Sequence, residues 1–294
     1  MTSAKFKILL VKFFALLSIV RWQNILLTIV AQYLAAIYVL NPGKSIEWII
    51  FNHKLHLMTL ASAFIIAGGY IINSFYDLEK DLVNRPEKTL FGRLVSRKFC
   101  LNCYFLFNTI GLALAFAASS RIFIFYFVFT ILLWAYSHKF QKIAFVREIS
   151  ASFLSVTSFF AIGIFYRYIT VPLFVYGCFA MIIIFSREII KDIESYKGNN
   201  IFGYNTLAGT LGIDKSSIAV IMINFIAVIP LGFLCINNNF NIQGIFFLTI
   251  LLVLNFMIFR LIYKNKNFQK NAENVHLYYK VFLLIIISFV IFVR

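Results

Sequence analysis

The chain has 294 residues, 62% of them hydrophobic and 18% aromatic, with 27 Lys and Arg against 11 Asp and Glu and a formal net charge of +16. A soluble domain is about 45–50% apolar and about 25% charged, whereas only 13% of this chain is charged. That excludes a disordered chain, which is poor in aromatic and apolar residues, and a soluble nucleic-acid binder, which needs a water-soluble body beneath its basic face.

A membrane-spanning helix takes roughly 20 mostly apolar residues. The first apolar stretch, residues 8–20, is shorter, contains Lys12 and ends at Arg21. It reads as an interfacial helix, and no small-residue cleavage site follows it as in a signal peptide. Nine longer stretches follow, at about 23–40, 56–76, 100–118, 121–137, 144–166, 170–192, 215–235, 242–262 and 276–293. The expected fold is therefore an all-α membrane protein. Nine transmembrane helices would form a single bundle around a central apolar cavity, with residues 1–294 as one domain.

Nine spans place the termini on opposite sides, and the positive-inside rule orients them. With the N-terminus cytoplasmic, 22 of the 27 cations fall on the inner side. The outer side keeps Lys44, Lys54, Arg121, Arg167 and Arg294. Cys100 and Cys103 have Cys-x-x-Cys spacing, but no second pair or nearby His completes a zinc site, so they are expected as buried free thiols. His53, His56, His138 and His276 are scattered and receive no chemistry.

The few acids are more informative. Asp77, Glu79, Asp81 and Glu87 close the second span, and Glu188, Asp192 and Glu194 close the sixth. Acids beside the hydrocarbon are costly and point to function by default. Asn73, Asp77 and Asp81 stand at i, i+4 and i+8 and share one helical face. Glu188, Asp192, Ser195 and Asn199 stand at i, i+4, i+7 and i+11, one stripe if the helix continues that far. Glu79, Lys80 and Glu87 read as solvated helix ends. Carboxylate and amide oxygens suit Mg²⁺, which substrate phosphates usually complete, and neighbouring Lys and Arg suit the remaining phosphate charge. The pattern reads as a metal–diphosphate site at the cytoplasmic rim of an apolar cavity. The implied substrate has an anionic head and a greasy tail, such as a polyprenyl diphosphate. A cation-coupled transporter is the reading from another class, but its site usually lies near the bilayer midplane at broken helices.

At these residues the chain resembles the UbiA superfamily of intramembrane prenyltransferases. The first motif reads Asn73-Ser74-x-x-Asp77-x-x-x-Asp81, followed by Asn84-Arg85-Pro86. The second reads Arg187-Glu188-Ile189-Ile190-Lys191-Asp192-Ile193-Glu194 and leads into Gly203-Tyr204-Asn205-Thr206-Leu207. It is similar to the second motif of the branch making archaeal-type ether lipids and phytyl-type products. Arg21-Trp22-Gln23-Asn24 and Tyr136-Ser137 are smaller echoes. There are departures: Ser74, Ser195 and Asn199 stand where Asp is usual, and Arg147-Glu148 where many relatives have Gly-Asn. The resemblance thus implies three fewer carboxylates than in a typical member, with either a reduced metal affinity or one of two Mg²⁺ sites weakened.

What the resemblance implies is Mg²⁺-dependent transfer of a polyprenyl group from its diphosphate to a lipid-soluble acceptor in the cytoplasmic membrane. Asp77, Asp81 and Asp192 would be the catalytic metal ligands, with Asn73 adding an amide oxygen. Asn73, Asn24, Lys88, Arg93, Tyr136, Lys139, Lys142 and Lys191 would bind substrate. The first-choice acceptor is a prenylglyceryl phosphate and the second an aromatic quinone precursor; membrane lipids are partners and nucleic acid is not.

Overall fold

The computed structural model describes residues 10, 14–41, 43–84, 96–237, 241–264 and 268–289, and every regular element among them is helical. In chain order these are α1 (Trp22–Leu34, extended by a π-helical turn Ala35–Leu40), α2 (Ile46–Ile50), α3 (His53–Asn84), α4 (Arg97–Ala118), α5 (Ser120–His138), α6 (Val146–Tyr166) and α7 (Val171–Glu194). Then follow α8 (Tyr196–Ile201), α9 (Leu207–Leu211), α10 (Ile213–Ile226), α11 (Val228–Asn237), α12 (Asn241–Lys264) and α13 (Phe268–Phe289). Residues 14–20 are also helical, and Arg21, at φ 52°, breaks that segment from α1.

Local chemistry sets several of these boundaries. Ser96 Oγ accepts the Phe99 N–H at 3.2 Å and caps α4, and Thr170 Oγ1 accepts the Leu173 N–H at 3.3 Å and caps α7. Each satisfies one of the four N–H groups that a helix start leaves without a partner. α6 ends at Arg167 in the left-handed conformation, and the Tyr168 N–H returns to Gly163 O at 3.1 Å, which satisfies a terminal carbonyl.

Seven helical stretches among the described residues are long and apolar enough to cross a membrane: Trp22–Leu40, His53–Val83, Arg97–Ala118, Ser120–Lys142, Val146–Tyr166, Val171–Glu194 and Ile213–Leu234. Nine spans were expected. In α12 the apolar stretch is the shorter Gly244–Arg260. α13 opens with Gln269, Lys270, Asn271, Glu273 and Asn274, which lowers its hydropathy, and residues 290–293 of the expected ninth span lie outside the described residues.

The chain divides into two compact units, Met1–Val30 with Ile50–Lys139, and Ala31–Ile49 with Phe140–Arg294. In the first, α3 packs along α4 and α5. Close approach needs small residues where backbones meet: a Cβ on Gly111 would stand 2.6 Å from Ile65 Cγ1, and one on Gly69 would stand 2.9 Å from Leu133 Cδ1. Gly111→Leu is expected to destabilise the unit by about 1–3 kcal/mol, the usual cost of overpacking. An unchanged thermal unfolding temperature in detergent would contradict that close packing. Cys100 and Cys103 are buried free thiols, as expected.

In the second unit α7 is the hub, packed against α6, α10, α11 and α13. Its inward face joins Phe179, Ile183 and Ile190 to Val220, Leu251, Leu254, Tyr279 and Phe282. Inside this apolar core the fully buried Asn224 donates through Nδ2 to Asn255 Oδ1 at 2.8 Å and to Tyr279 Oη at 2.6 Å. Helices in lipid use such interhelical hydrogen bonds as glue. Outward faces carry Phe105, Phe116, Ile124, Phe174, Ile229 and Phe256, each more than half exposed, a surface suited to hydrocarbon rather than water.

Candidate active site

α3 has 32 residues and so runs about 48 Å, against a hydrocarbon thickness of about 30 Å. It is longer than a straight crossing needs, and its C-terminal turns carry the first acidic stripe. Asn73 Nδ2 donates to Asp77 Oδ2 at 3.0 Å, and Lys80 Nζ pairs with Asp77 Oδ1 at 2.8 Å. Both Asp77 and Lys80 are buried, and Asp81 is half-buried one turn on. Lys80, expected in solvent, instead folds back onto Asp77 because the i, i+3 spacing puts both on one face. Glu79 behaves as expected and pairs in solvent with Arg97 at 2.8 Å.

Other residues of this unit gather near the stripe. Asn24 Nδ2 donates to Tyr70 Oη at 2.9 Å, one turn before Asn73. His138 Nδ1 lies 3.2 Å from Tyr76 Oη and stacks on Trp134, which ties the end of α5 to α3. Tyr136 is half-buried there and Lys139 is exposed. Lys88 and Arg93 lie outside the described residues.

The second stripe is more deeply buried. Glu188, Asp192, Ser195 and Asn199 are all buried. The Ser195 N–H bonds Lys191 O at 3.0 Å and the Asn199 N–H bonds Ser195 O at 3.1 Å, so helical hydrogen bonding carries the stripe from α7 into α8. Glu188 is clasped by Arg187 at 3.1 Å and by Lys191 at 2.8 Å. Asp192 is paired with Arg147, Nη2 to Oδ1 at 2.5 Å, with both side chains almost wholly buried. Lys142 is exposed and its Nζ lies 5.8 Å from the Tyr204 ring centre.

Arg147 and Glu148 reach this place through a distorted backbone. Phe145 has φ 64° and ψ −46°, and the Val146 N–H bonds Ala144 O at 2.8 Å. That is a γ-turn of the rare positive-φ kind, a strain of about 1–3 kcal/mol for a bulky residue. It launches α6 with Arg147 facing Asp192 and Glu148 facing α9, where Glu148 Oε1 accepts the Leu207 N–H at 2.8 Å. The Asn205 N–H donates to Lys142 O at 3.2 Å and pins the same loop. Sequence reading noted Arg147-Glu148 only as a departure, because no periodicity links Arg147 to a partner 45 residues away. It also passed over His276, whose Nδ1 lies 2.8 Å from Glu194 Oε2.

A divalent cation with oxygen ligands fits the first stripe. Asn73 Oδ1 is buried without a hydrogen-bond partner beside Asp77, Asp81 adds a second carboxylate, and each carboxylate oxygen has lone pairs to spare. It fits the second stripe poorly, because a guanidinium already opposes Asp192. Among the described residues no group of three or more His, Cys, Asp or Glu side chains is gathered closely enough to hold a metal by itself.

Residues 29–286 match the UbiA prenyltransferase family. The chain is 29% identical over 249 residues to digeranylgeranylglyceryl phosphate synthase of Sulfurisphaera tokodaii, covering 81% of this chain and 84% of that protein. It is 30% identical over 210 residues to the synthase of the same name from Sulfolobus acidocaldarius, covering 69% and 74%. Its fold is similar to that of a UbiA homologue from Archaeoglobus fulgidus bound to GPP and Mg²⁺, with a TM-score of 0.67 at 18% identity over 94% of this chain and 99% of that one. The chain belongs to the UbiA prenyltransferase family and is a multi-pass membrane prenyltransferase.

Proposed function

We propose that the chain transfers a geranylgeranyl-type group from its diphosphate to a prenylated glycerol phosphate. The observation that carries this reading is the similarity to digeranylgeranylglyceryl phosphate synthases over most of both chains. Both acidic stripes lie within the residues matched to the family. We also read the chain as one domain of nine spans in the cytoplasmic membrane, with the N-terminus and active site on the cytoplasmic side.

In this reading Asn73, Asp77 and Asp81 hold Mg²⁺, which when bound would neutralise the charge gathering on the leaving diphosphate. Lys139, Lys88 and Arg93 bind the diphosphate's other oxygens. Lys191 acts less directly, since its ammonium is committed to Glu188. Asn24 bonds Tyr70 and orders the approach to the stripe. The allylic C–O bond breaks with its electron pair leaving on the diphosphate. The π face of Tyr136 stabilises the carbocation, the acceptor hydroxyl attacks its C1, and the hydroxyl proton is released. Apolar walls keep water from competing.

The test is a product assay on membranes containing the protein. Labelled geranylgeranyl diphosphate is offered with a prenylated glycerol phosphate or with an aromatic quinone precursor, and products are read by mass spectrometry. The glycerol phosphate is expected to gain one geranylgeranyl group. A chelator abolishes the product and added Mg²⁺ restores it. An aromatic product alone, or transfer that persists in chelator, would overturn the reading.

A further inference from the structure

We infer that Arg21 anchors the phosphate of the acceptor lipid, and so selects an acceptor that carries a phosphate over one that carries none. The inference rests on reading the acceptor as a prenylated glycerol phosphate, and it goes further by giving that second anion a cation of its own.

The need for such a cation comes from the reaction. A prenylated glycerol phosphate carries its phosphate only a few bonds from the hydroxyl that attacks, while the donor brings a diphosphate to the first acidic stripe. Two phosphate groups drawn together in a poorly screened site repel each other. The acceptor's charge therefore has to be met by a group that the diphosphate does not engage, on the same face and at a distance from the acids.

Arg21 stands in such a place. Tyr70, Asn73, Asp77 and Asp81 lie at i, i+3, i+7 and i+11 on α3, so the Tyr70 ring shares a face with the acidic stripe. At about 1.5 Å per residue, Tyr70 lies about 10 Å along the axis from Asp77. The backbone delivers Arg21 to that ring. At φ 52° it breaks the helical segment 14–20 from α1, a left-handed conformation that is costly for a residue with a Cβ. Strain of this kind gathers where a side chain has to be aimed. The Asn24 N–H then bonds Arg21 O at 2.8 Å, and Asn24 Nδ2 donates to Tyr70 Oη at 2.9 Å, which fastens the turn to the same phenol. The Arg21 guanidinium carbon lies 5.4 Å from the Tyr70 ring centre. All of these residues belong to the first unit.

The contact leaves the donors of Arg21 available. A guanidinium meets a ring with its face, while its N–H groups point outward in its own plane, in a fork that matches two phosphate oxygens. Arg97, Arg147 and Arg187 each pair with a carboxylate. Among the described residues Arg21 meets the Tyr70 ring and no carboxylate, and it is exposed. Tyr70 Oη accepts the Asn24 bond, so the phenol's own hydrogen is left to donate. A fork and a hydroxyl on one aromatic shelf suit a single phosphate group.

The test measures equilibrium binding to the full-length protein in phosphatidylcholine nanodiscs. Three labelled ligands are compared: geranylgeranylglyceryl phosphate, the same lipid without its phosphate, and geranylgeranyl diphosphate with Mg²⁺. Arg21→Gln is expected to weaken binding of the phosphate-bearing lipid by about 10–100-fold, the usual range for losing a hydrogen bond to a charged group, with the other two ligands bound as before. Arg21→Lys keeps the charge but not the fork and is expected to fall between. In turnover the loss appears in KM for the acceptor rather than in kcat. The inference is overturned if Arg21→Gln binds the phosphate-bearing lipid as the unaltered chain does. It is overturned equally if both acceptor lipids weaken alike, or if the loss falls on geranylgeranyl diphosphate. Should Arg21→Gln fail to fold, Arg21→Lys decides by the same comparison. If the unaltered protein neither binds nor prenylates the phosphate-bearing lipid, the proposed function falls and the role of Arg21 with it. If it does both while Arg21→Gln binds equally well, the role of Arg21 alone falls.

Discussion

Asp77→Asn is expected to lower prenyl transfer by at least about 100-fold in protein that still folds. The size follows from the role: removing a preorganised group that meets developing charge costs on the order of 10²–10³ in rate. Asparagine is the right probe because it keeps the shape and one acceptor oxygen for Asn73 Nδ2, which now donates to Asp77 Oδ2. Alanine would lose the side-chain shape as well; either change removes the carboxylate that buried Lys80 meets at 2.8 Å, so the rate is compared at a temperature where the variant stays folded. The assay is single-turnover transfer of a labelled prenyl group, with unfolding followed by tryptophan fluorescence. Full activity in Asp77→Asn would remove the first stripe from the active site.

Asp192→Ala is expected to act on stability first. It leaves the Arg147 guanidinium buried without its carboxylate, and removing one partner of a buried pair typically costs about 3–5 kcal/mol. For a chain of this size that is an unfolding temperature lower by on the order of 10 °C. Pairing it with Arg147→Met removes the stranded charge and is expected to restore most of the loss, so the double variant should be more stable than Asp192→Ala alone. Additive losses in that cycle would mean that the two side chains are not coupled. Because of the Arg147 contact, loss of activity in Asp192→Ala alone mixes stability with catalysis.

The contrast marks what one-dimensional patterns carry. Spacing of three to four residues put Asn73, Asp77 and Asp81 on one face, and it led from Glu188 to Asn199 because helical hydrogen bonding continues through Ser195. Hydropathy located the long helices, α3 most clearly, since a run of apolar residues has few other uses. At α13 the polar first turns, Gln269 to Asn274, lower the average, while Ala272, Val275, Tyr279, Phe282 and Ile286 form a buried stripe packed on α7. Lys80 was misread because its charge suggested solvent, when a long apolar stem can fold over a neighbour and leave only its tip charged. Arg147 was illegible for a different reason: its meaning lies in a contact across 45 residues that depends on a γ-turn at Phe145, and neither leaves a periodic trace.

The Asn224 amide has a consequence for how three helices find their alignment. Apolar side chains in lipid slide past one another at little cost, because one Leu or Ile surface resembles the next. Asn224 on α10, Asn255 on α12 and Tyr279 on α13 meet at one level only. Shifting any of these helices by one turn, about 5.4 Å, would strand amide or hydroxyl groups among Leu251, Leu254 and Phe282 with no water to receive them, and unmet polar groups in such surroundings cost several kcal/mol each. A single asparagine therefore works as a latch that rejects misaligned bundles, in the way one polar side chain fixes the register of a coiled coil.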